Sequence, residues 1–342
     1  MRESLSRLCS AFIEDRDTIR DTFKFQSSYL YPICANIFSS RQRPARREEL
    51  IACKKLINEK TGAFSNFRGN LKLPVISMLA ACGRPEAMLD QTLENYTLLK
   101  EQFHGSEYLA LAAILLENMG VRSGLAERIA RGKAIYQRMK KEHRFLTSAE
   151  DSVFSVLLAF SELSDDALME DIEACYRLVK NQFGHSNQAQ SVSHVLAMTA
   201  GTPEAKTDKL FAIYDGLRAE GRKYGKYYEL STLAAVSVLD VEVRQIVGDM
   251  LEIDAFLSQQ KGYGVLRMDK KTRLMHAAML AADDYSAQKE TAADFGKSPS
   301  EQNAAHGAVM TSTLAMLAAQ QAALCAVMMS STAAASTAAA NS

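Results

Sequence analysis

The polar residues of this chain that could take part in chemistry are few and widely spaced. His104 and His185 occupy equivalent turns, each next to a glycine and within two residues of a following serine. Two such histidines could bind an anion or a metal ion. A metal site needs three or four converging ligands, however, and no third ligand stands at a suitable spacing. We therefore interpret both histidines as polar turn residues and predict no metal and no cofactor.

Two pairs of adjacent aspartates, Asp165–Asp166 and Asp283–Asp284, are candidates for paired carboxylates. Both pairs fall where one apolar helical unit gives way to the next. At such a joint, acidic residues cap the following helix and favour its dipole. Neither pair extends into the longer acidic pattern of a magnesium–diphosphate site. We therefore interpret both pairs as helix caps.

Three further patterns predict structure rather than catalysis. The triplet 296–298 reads Gly-Lys-Ser but lacks the upstream glycine, the preceding strand and the following helix of a phosphate loop. The arginine-rich run 41–47 has no interleaved aromatic residues and is typical of a solvated linker. His194 and His276 each lie within an apolar helix, where a lone histidine is usually a packing residue.

One charged residue falls near the start of several apolar helices, and these residues could converge in the funnel of a closed helical ring. The adjacent tyrosines Tyr227 and Tyr228 point about 100° apart on a helix, so one of them should face outward. The candidate binding residues are thus Glu107, Asp151, Tyr227, Tyr228, Glu229 and Arg273, with His104 and His185 in the turns. No catalytic residue is predicted, and the sequence favours a protein that is not an enzyme.

The elements that would position these residues repeat along the chain. Tyr96, Tyr136, Tyr176 and Tyr214 recur about every 40 residues in similar apolar frames. An aromatic residue and a glycine follow each unit's first helix, and a second helix rich in Ala, Leu, Val and Met comes next. A period of this size is that of one helix–turn–helix unit. The sequence therefore predicts an all-α array of about six to seven repeats, an α-solenoid or α/α superhelix without a sheet.

The joints between units and the chain ends define the domain organisation. The joint Gly-Arg-Pro-Glu-Ala at 83–87 recurs as Gly-Thr-Pro-Glu-Ala at 201–205, with a glycine to end one helix and a proline to begin the next. We predict a helical repeat domain over 1–285, with a terminal cap pair at 1–46 and regular repeats at 47–285. A polar linker over 286–303 and a low-complexity tail rich in Ala, Met, Ser and Gln over 304–342 complete the chain.

The composition excludes several classes of partner. Lys plus Arg and Asp plus Glu number 40 each, so no global charge attracts nucleic acid. The six cysteines are scattered without a CxxC pair, as in a reducing cytoplasm. The tail is long enough to span a bilayer, but Gln320 and Gln321 interrupt it and alanine dominates. We expect a cytoplasmic protein that does not bind nucleic acid or insert in a membrane.

The segment Phe103-His104-Gly105-Ser106-Glu107-Tyr108, the tyrosine-containing helices and the tail segment 318–323 resemble an all-helical family of Gram-positive, mainly Firmicutes, bacteria. The family is a domain of unknown function, numbered four thousand and three. The resemblance covers most of the chain and implies a cytoplasmic helical protein. It carries over no catalytic residue.

Three functions are compatible with these observations. The first is a protein-interaction scaffold that binds another protein in a groove lined by the second helix of each repeat. The second is an enzyme or small-ligand protein, in which the hairpins close into an α/α toroid around a polar funnel. The third is a membrane-associated adaptor held by the tail. An open groove along the second helices favours the first, and a closed array with a deep polar pocket favours the second.

Overall fold

The computed structural model describes residues 1–121, 123–264 and 268–293. Within these residues the chain forms fourteen α-helices and no strand, which confirms the all-helical prediction. The predictions for the tail 304–342 and for the Gly-Lys-Ser triplet concern residues outside the described ranges. The helices are α1 Glu3–Thr22, α2 Leu30–Ser39, α3 Arg47–Lys60, α4 Lys72–Ala81, α5 Pro85–Gln102, α6 Glu107–Asn118, α7 Leu125–Glu142, α8 Asp151–Leu158, α9 Asp165–Phe183, α10 Ser186–Leu196, α11 Pro203–Ala219, α12 Glu229–Ser237, α13 Val243–Ser258 and α14 Lys270–Ala293.

The helices pack as seven consecutive antiparallel hairpins whose contacts close on themselves. Each odd-numbered helix contacts the next odd-numbered one, from α1 through to α13, and α1 in turn contacts α13 and α14. Helix α14 also contacts α2. The terminal pair α1–α2 therefore packs against the last hairpin instead of capping a free end.

We call the connections within hairpins the hairpin loops and those between hairpins the joints. Because successive helices alternate in direction, the loops lie at one end of the ring and the joints at the other.

The even-numbered helices form the inner layer of this ring. Except for α14, which has 24 residues, they are short, and every residue of α2, α8 and α12 is buried. The odd-numbered helices are longer and bury one stripe; in α5 this stripe consists of Met88, Leu89, Thr92, Asn95 and Leu99. A groove lined by the second helices was the expected binding surface of a scaffold. In the described structure most residues of these helices are buried, and α2 and α14 line part of one open cavity together with α1.

The tyrosine repeat marks a contact between successive hairpins. Each tyrosine ring packs against an aromatic ring from the preceding hairpin, at the end of its first helix or in the loop after it, at centroid distances between 4.5 and 5.8 Å. The pairs are Phe67–Tyr96, Phe103–Tyr136, His143–Tyr176 and Phe183–Tyr214. Edge-on aromatic pairs add about 0.5–1.5 kcal/mol beyond the area they bury. The two sequence signals, a tyrosine and a loop aromatic, are thus the two halves of one inter-hairpin contact.

The joints match the sequence in all but one place. Gly83 and Gly201 have positive φ angles, and a proline opens the next helix at both joints. Asp165 and Asp166 lie in the first turn of α9, as the capping interpretation predicts. That interpretation is wrong for Asp283 and Asp284. No joint follows them, since α14 continues to Ala293, and both side chains are buried.

Candidate functional sites at the two ends of the ring

Asp151 lies at the start of α8, at the loop end, and is 2% exposed. Its Oδ2 accepts a hydrogen bond from the Ser148 backbone N–H at 2.7 Å. Burial raises the pKa of its carboxyl to about 7. His194 Nδ1 lies 3.5 Å from Oδ1, too far for a well-formed hydrogen bond, and burial lowers the pKa of this histidine to about 3. The carboxylate therefore serves as a local cap in the inner layer.

The other charged candidates are held by partners of their own. Glu229 is buried, accepts a hydrogen bond from the Tyr227 backbone N–H at 3.2 Å, and fills the space where a Cβ on Gly225 would lie. Glu107 packs in the same way against Gly69. The guanidinium of Arg273 donates to Asp254 Oδ1 at 2.6 Å. Glu107 Oε2 has no hydrogen-bond partner among the described residues, and no contact there joins these three side chains to Asp151.

The aromatic and turn candidates also lie at the loop end. Tyr227 is 50% exposed, and its ring centroid is 4.8 Å from that of His185. Tyr228 is half-buried, with its hydroxyl 3.3 Å from Thr272 Oγ1. His104 is exposed. No group of three or more His, Cys, Asp or Glu side chains within residues 1–121, 123–264 and 268–293 could hold a metal ion.

A cavity of about 760 Å³ opens at the joint end, between α1, the joint after α2 and the second half of α14. Its volume lies in the range of small-molecule sites. Apolar side chains and carboxylates share the wall. The lining residues are Ser4, Arg7, Leu8, Ala11, Glu14, Asp15, Ser39, Gln42, Arg43, Pro44, Asp283, Asp284, Ala287 and Gln288.

Asp15 is the least satisfied group of this wall. It is 3% exposed, and its Oδ1 accepts the Ala45 backbone N–H at 2.7 Å, but its Oδ2 has no hydrogen-bond partner among the described residues. Burial raises the pKa of Asp15 to about 6, the Ala45 hydrogen bond opposes this rise, and the charge of Glu14 adds to it. A buried carboxylate without a counter-charge is costly and favours the approach of a cation.

Asp283 and Asp284 face the same cavity with different partners. Asp283 accepts a hydrogen bond from Asn36 Nδ2, and burial raises its pKa well above the ordinary value. Asp284 lies 2.9 Å from Arg2 Nη1, and Arg2 also contacts Asp249 at 2.6 Å. The Arg2 contacts join the start of α1 to α13 and α14, so the last helix completes both the ring and the cavity.

The basic residues of the cavity do not neutralise its buried acids. Arg43 is paired with Glu49 at 3.0 Å, outside the lining. Arg7 is exposed and lies 3.8 Å from Glu3. Asp15 and Asp283 therefore face the cavity without an ion-pair partner among the described residues. A wall of this kind can hold an organic cation, with its charge on the Asp15 carboxylate and its carbon atoms against Leu8, Ala11 and Ala287.

Sequence reasoning did not identify Asp15 and misread Asp283. Asp15 lies in the charged run Glu14-Asp15-Arg16-Asp17, where nothing distinguishes the buried carboxylate from its neighbours. A signal for Asp283 was present: no Gly or Pro follows it closely, whereas the joints at 83–87 and 201–205 contain both. The absence of a helix-ending glycine or proline after Asp283 indicated that the helix continues.

A closed ring of helical hairpins with buried carboxylates at one end is thus the class of protein that the fold and the site define. Comparison of sequences gives the family. The model of the family described as "Protein of unknown function (DUF4003)" matches residues 17–322, and the chain belongs to that family. This confirms the resemblance seen in the tyrosine helices.

Among curated proteins, the chain is similar to "Uncharacterized protein YeaA" of Bacillus subtilis (strain 168), with 28% identity over 215 residues. The match covers 60% of this chain and 64% of the relative, so it spans less than two thirds of the relative's length. No solved structure matches the chain significantly. Within the described residues, none of the helices combines the length and hydropathy needed to cross a bilayer.

Proposed function

We propose that the protein binds a small organic cation, such as a protonated alkyl amine, in the cavity at the joint end of the ring. The observation that carries this proposal is Asp15, a buried carboxylate whose Oδ2 has no partner at the wall of a 760 Å³ cavity. Asp283 of α14 supplies a second buried carboxyl to the same cavity. The proposal assigns binding and no reaction.

The closed contacts of the hairpins support this function over a groove-binding scaffold. Most residues of the second helices are buried, so these helices offer little continuous surface to a partner protein. A protein-interaction function would instead use the exposed side chains of the hairpin loops. A cytoplasmic location is part of the proposal, since Cys9, Cys34, Cys53, Cys82 and Cys175 are all free thiols.

Binding should depend on pH in a defined direction. The cation binds the ionised form of Asp15, whose pKa is about 6. Affinity should therefore rise as the pH increases from 5 to 7 and level off above that. Proton release should accompany binding near pH 6, and it is measurable as a buffer-dependent enthalpy in titration calorimetry.

The test is calorimetry and thermal shift on the full chain with hexylamine, 1,6-diaminohexane and hexyltrimethylammonium, with hexan-1-ol as the neutral control. At least one cation should bind, and hexan-1-ol should not. Asp15→Asn keeps an acceptor for the Ala45 N–H and should weaken binding about 30-fold or more, since it removes a buried charge partner. Asp240→Asn, at an exposed joint position, is the matched control and should bind normally. Absence of cation binding, or equal binding by the Asp15→Asn variant, would overturn the proposal.

A further inference from the structure

The most exposed aromatic side chains of the described structure all lie in hairpin loops. Phe25, Phe64 and Phe145 are 98%, 103% and 97% exposed, and Tyr227 is 50% exposed. They belong to the loops after α1, α3, α7 and α11, which share one end of the ring. The other exposed large apolar residues are Met1, Ile51 and Leu163, none of them aromatic and all less than half exposed. Exposed aromatic residues gathered at one end indicate a contact surface.

The loops hold these rings outward by defined turns. Ser65 donates its backbone N–H to the Gly62 carbonyl at 3.0 Å, which places Phe64 at the third position of a four-residue turn. Leu146 donates to the His143 carbonyl at 3.0 Å, which gives Phe145 the same position. Three residues after Phe64, Phe67 is 1% exposed and anchors the loop. The exposed rings are therefore presented by anchored turns.

Basic residues accompany the exposed rings. Lys24, Arg144 and Lys226 directly precede Phe25, Phe145 and Tyr227, and all three are exposed. Beside Phe145 lies a shallow cleft of about 430 Å³ whose charged lining residues are all basic. The cleft is lined by Lys133, Tyr136, Gln137, Lys140, Lys141 and Arg144. Lys140, Lys141 and Arg144 make no ion pair with a carboxylate in the part of the chain that the structure describes. This cleft has the charge to take a phosphate group.

A planar anionic surface fits these features better than a protein pocket does. The exposed rings stand on separate loops around the ring of hairpins, so a single partner must receive them at several well-separated points. The interface of a bilayer accepts aromatic rings anywhere on its plane, and its phosphates attract Lys and Arg. A partner protein would need several separate preformed pockets.

We propose that the loop end is a membrane-docking surface, on which Phe25, Phe64 and Phe145 enter the interface of an anionic bilayer while Lys140, Lys141 and Arg144 bind lipid phosphate. The surface lies opposite the cation cavity and does not depend on it. It also differs from anchoring by the tail, since it uses only residues of the hairpin loops and of α7.

The absence of tryptophan from the chain allows a direct test. In the full-length variant Phe145→Trp, the new indole is the only one in the protein. With vesicles of phosphatidylcholine containing 30 mol% phosphatidylglycerol, its emission should shift to the blue, and brominated lipids should quench it. With phosphatidylcholine alone, neither change should occur. Leu163→Trp, at an exposed joint position, is the matched control and should not respond. An unchanged emission of the Phe145→Trp protein in saturating anionic vesicles would overturn the proposal.

Co-sedimentation with the same vesicles separates the loops from the tail. The variant Phe25→Ser/Phe64→Ser/Phe145→Ser keeps the whole tail and should bind at least about tenfold more weakly than the wild type. The variant Lys140→Gln/Lys141→Gln/Arg144→Gln should lose most of the dependence on phosphatidylglycerol. Undiminished sedimentation of the triple phenylalanine variant would assign binding to another part of the chain and contradict the proposal. The proposal would also be contradicted if the wild type bound no vesicles but bound a purified protein that these variants failed to bind.

Discussion

The joint end and the loop end of the ring are built from the same hairpins, yet they carry opposite chemistry. At the joint end, Asp15 and Asp283 are buried in a cavity. At the loop end, Phe25, Phe64 and Phe145 are fully exposed beside basic residues. Six of the seven outer helices carry an acid in the first turn, and six carry a basic residue in the last. Each placement favours its own helix dipole. Because the outer helices run in the same direction, their first-turn acids gather at the joint end and their last-turn basic residues at the loop end.

The largest predicted effect is a difference in the free energy of unfolding between two phenylalanine variants of one loop. Phe67→Ala should lower the free energy of unfolding by about 3–5 kcal/mol, because it removes a buried ring that packs on Tyr96. Phe64→Ala, three residues away and fully exposed, should change it by less than about 0.5 kcal/mol. Urea unfolding of both variants measures the difference. Equal losses would show that Phe64 is packed against the protein and is not free to dock.

A second, smaller effect should come from the contact that closes the ring. Arg2→Ala leaves Asp249 and Asp284 without their shared cation and should destabilise the protein by about 1–3 kcal/mol. The variant should still bind an organic cation, because Asp15 is untouched and Asp284 loses its ion pair while keeping the hydrogen bond from Gln288. Urea unfolding and calorimetry on the same sample check both outcomes. Complete loss of cation binding in a folded variant would show that Arg2 shapes the cavity.

The third prediction is the change in stability caused by Asp15→Asn, and its sign distinguishes a binding residue from a structural one. The folded pKa of Asp15, about 6, lies above its ordinary value of 3.8, so ionisation of Asp15 destabilises the fold as the pH rises between these values. Asp15→Asn should therefore stabilise the unliganded protein by about 1–3 kcal/mol at pH 7.5, and the gain should disappear below pH 4. Melting temperatures across this pH range measure it. A variant that is less stable at pH 7.5 would make Asp15 a structural residue.

The smallest effect expected is the coupling between the two ends. Asp15→Asn should leave vesicle affinity within about twofold, and Phe145→Ser should do the same for cation affinity, since the two sites share no partner. The double variant should unfold with the sum of the single effects, within about 0.5 kcal/mol. Calorimetry, co-sedimentation and urea unfolding of the three proteins test this. Coupling greater than about threefold would show that occupancy of one end alters the other.

The repeated features were predictable from the sequence, and the closing contacts were not. Tyr96 to Tyr214, the joint glycines and prolines, and the second helices all lie in a local pattern that a period of 40 residues reveals. Contacts such as Arg2 with Asp249 and Asp284 join residues more than 240 positions apart. No local pattern encodes such a contact, so the sequence could not distinguish an open array of hairpins from a closed ring.

The candidate sites show the same limit. Glu107, Asp151 and Glu229 begin inner helices, and each accepts a hydrogen bond from a nearby backbone N–H. Whether a first-turn acid caps its own helix or faces a cavity depends on the neighbouring hairpin. Likewise, Phe64 and Phe67 are the same residue type in the same loop. Only the turn between Gly62 and Ser65 decides which ring is buried.

Closure of the ring has an evolutionary consequence. An open array lengthens by duplicating a unit, because each new unit meets only its neighbour. Here α1 must meet α13 and α14, so an eighth hairpin would widen the circumference and leave a void among the short inner helices. The number of hairpins is therefore fixed by geometry, and relatives of different length should differ in loops, joints and termini while keeping seven.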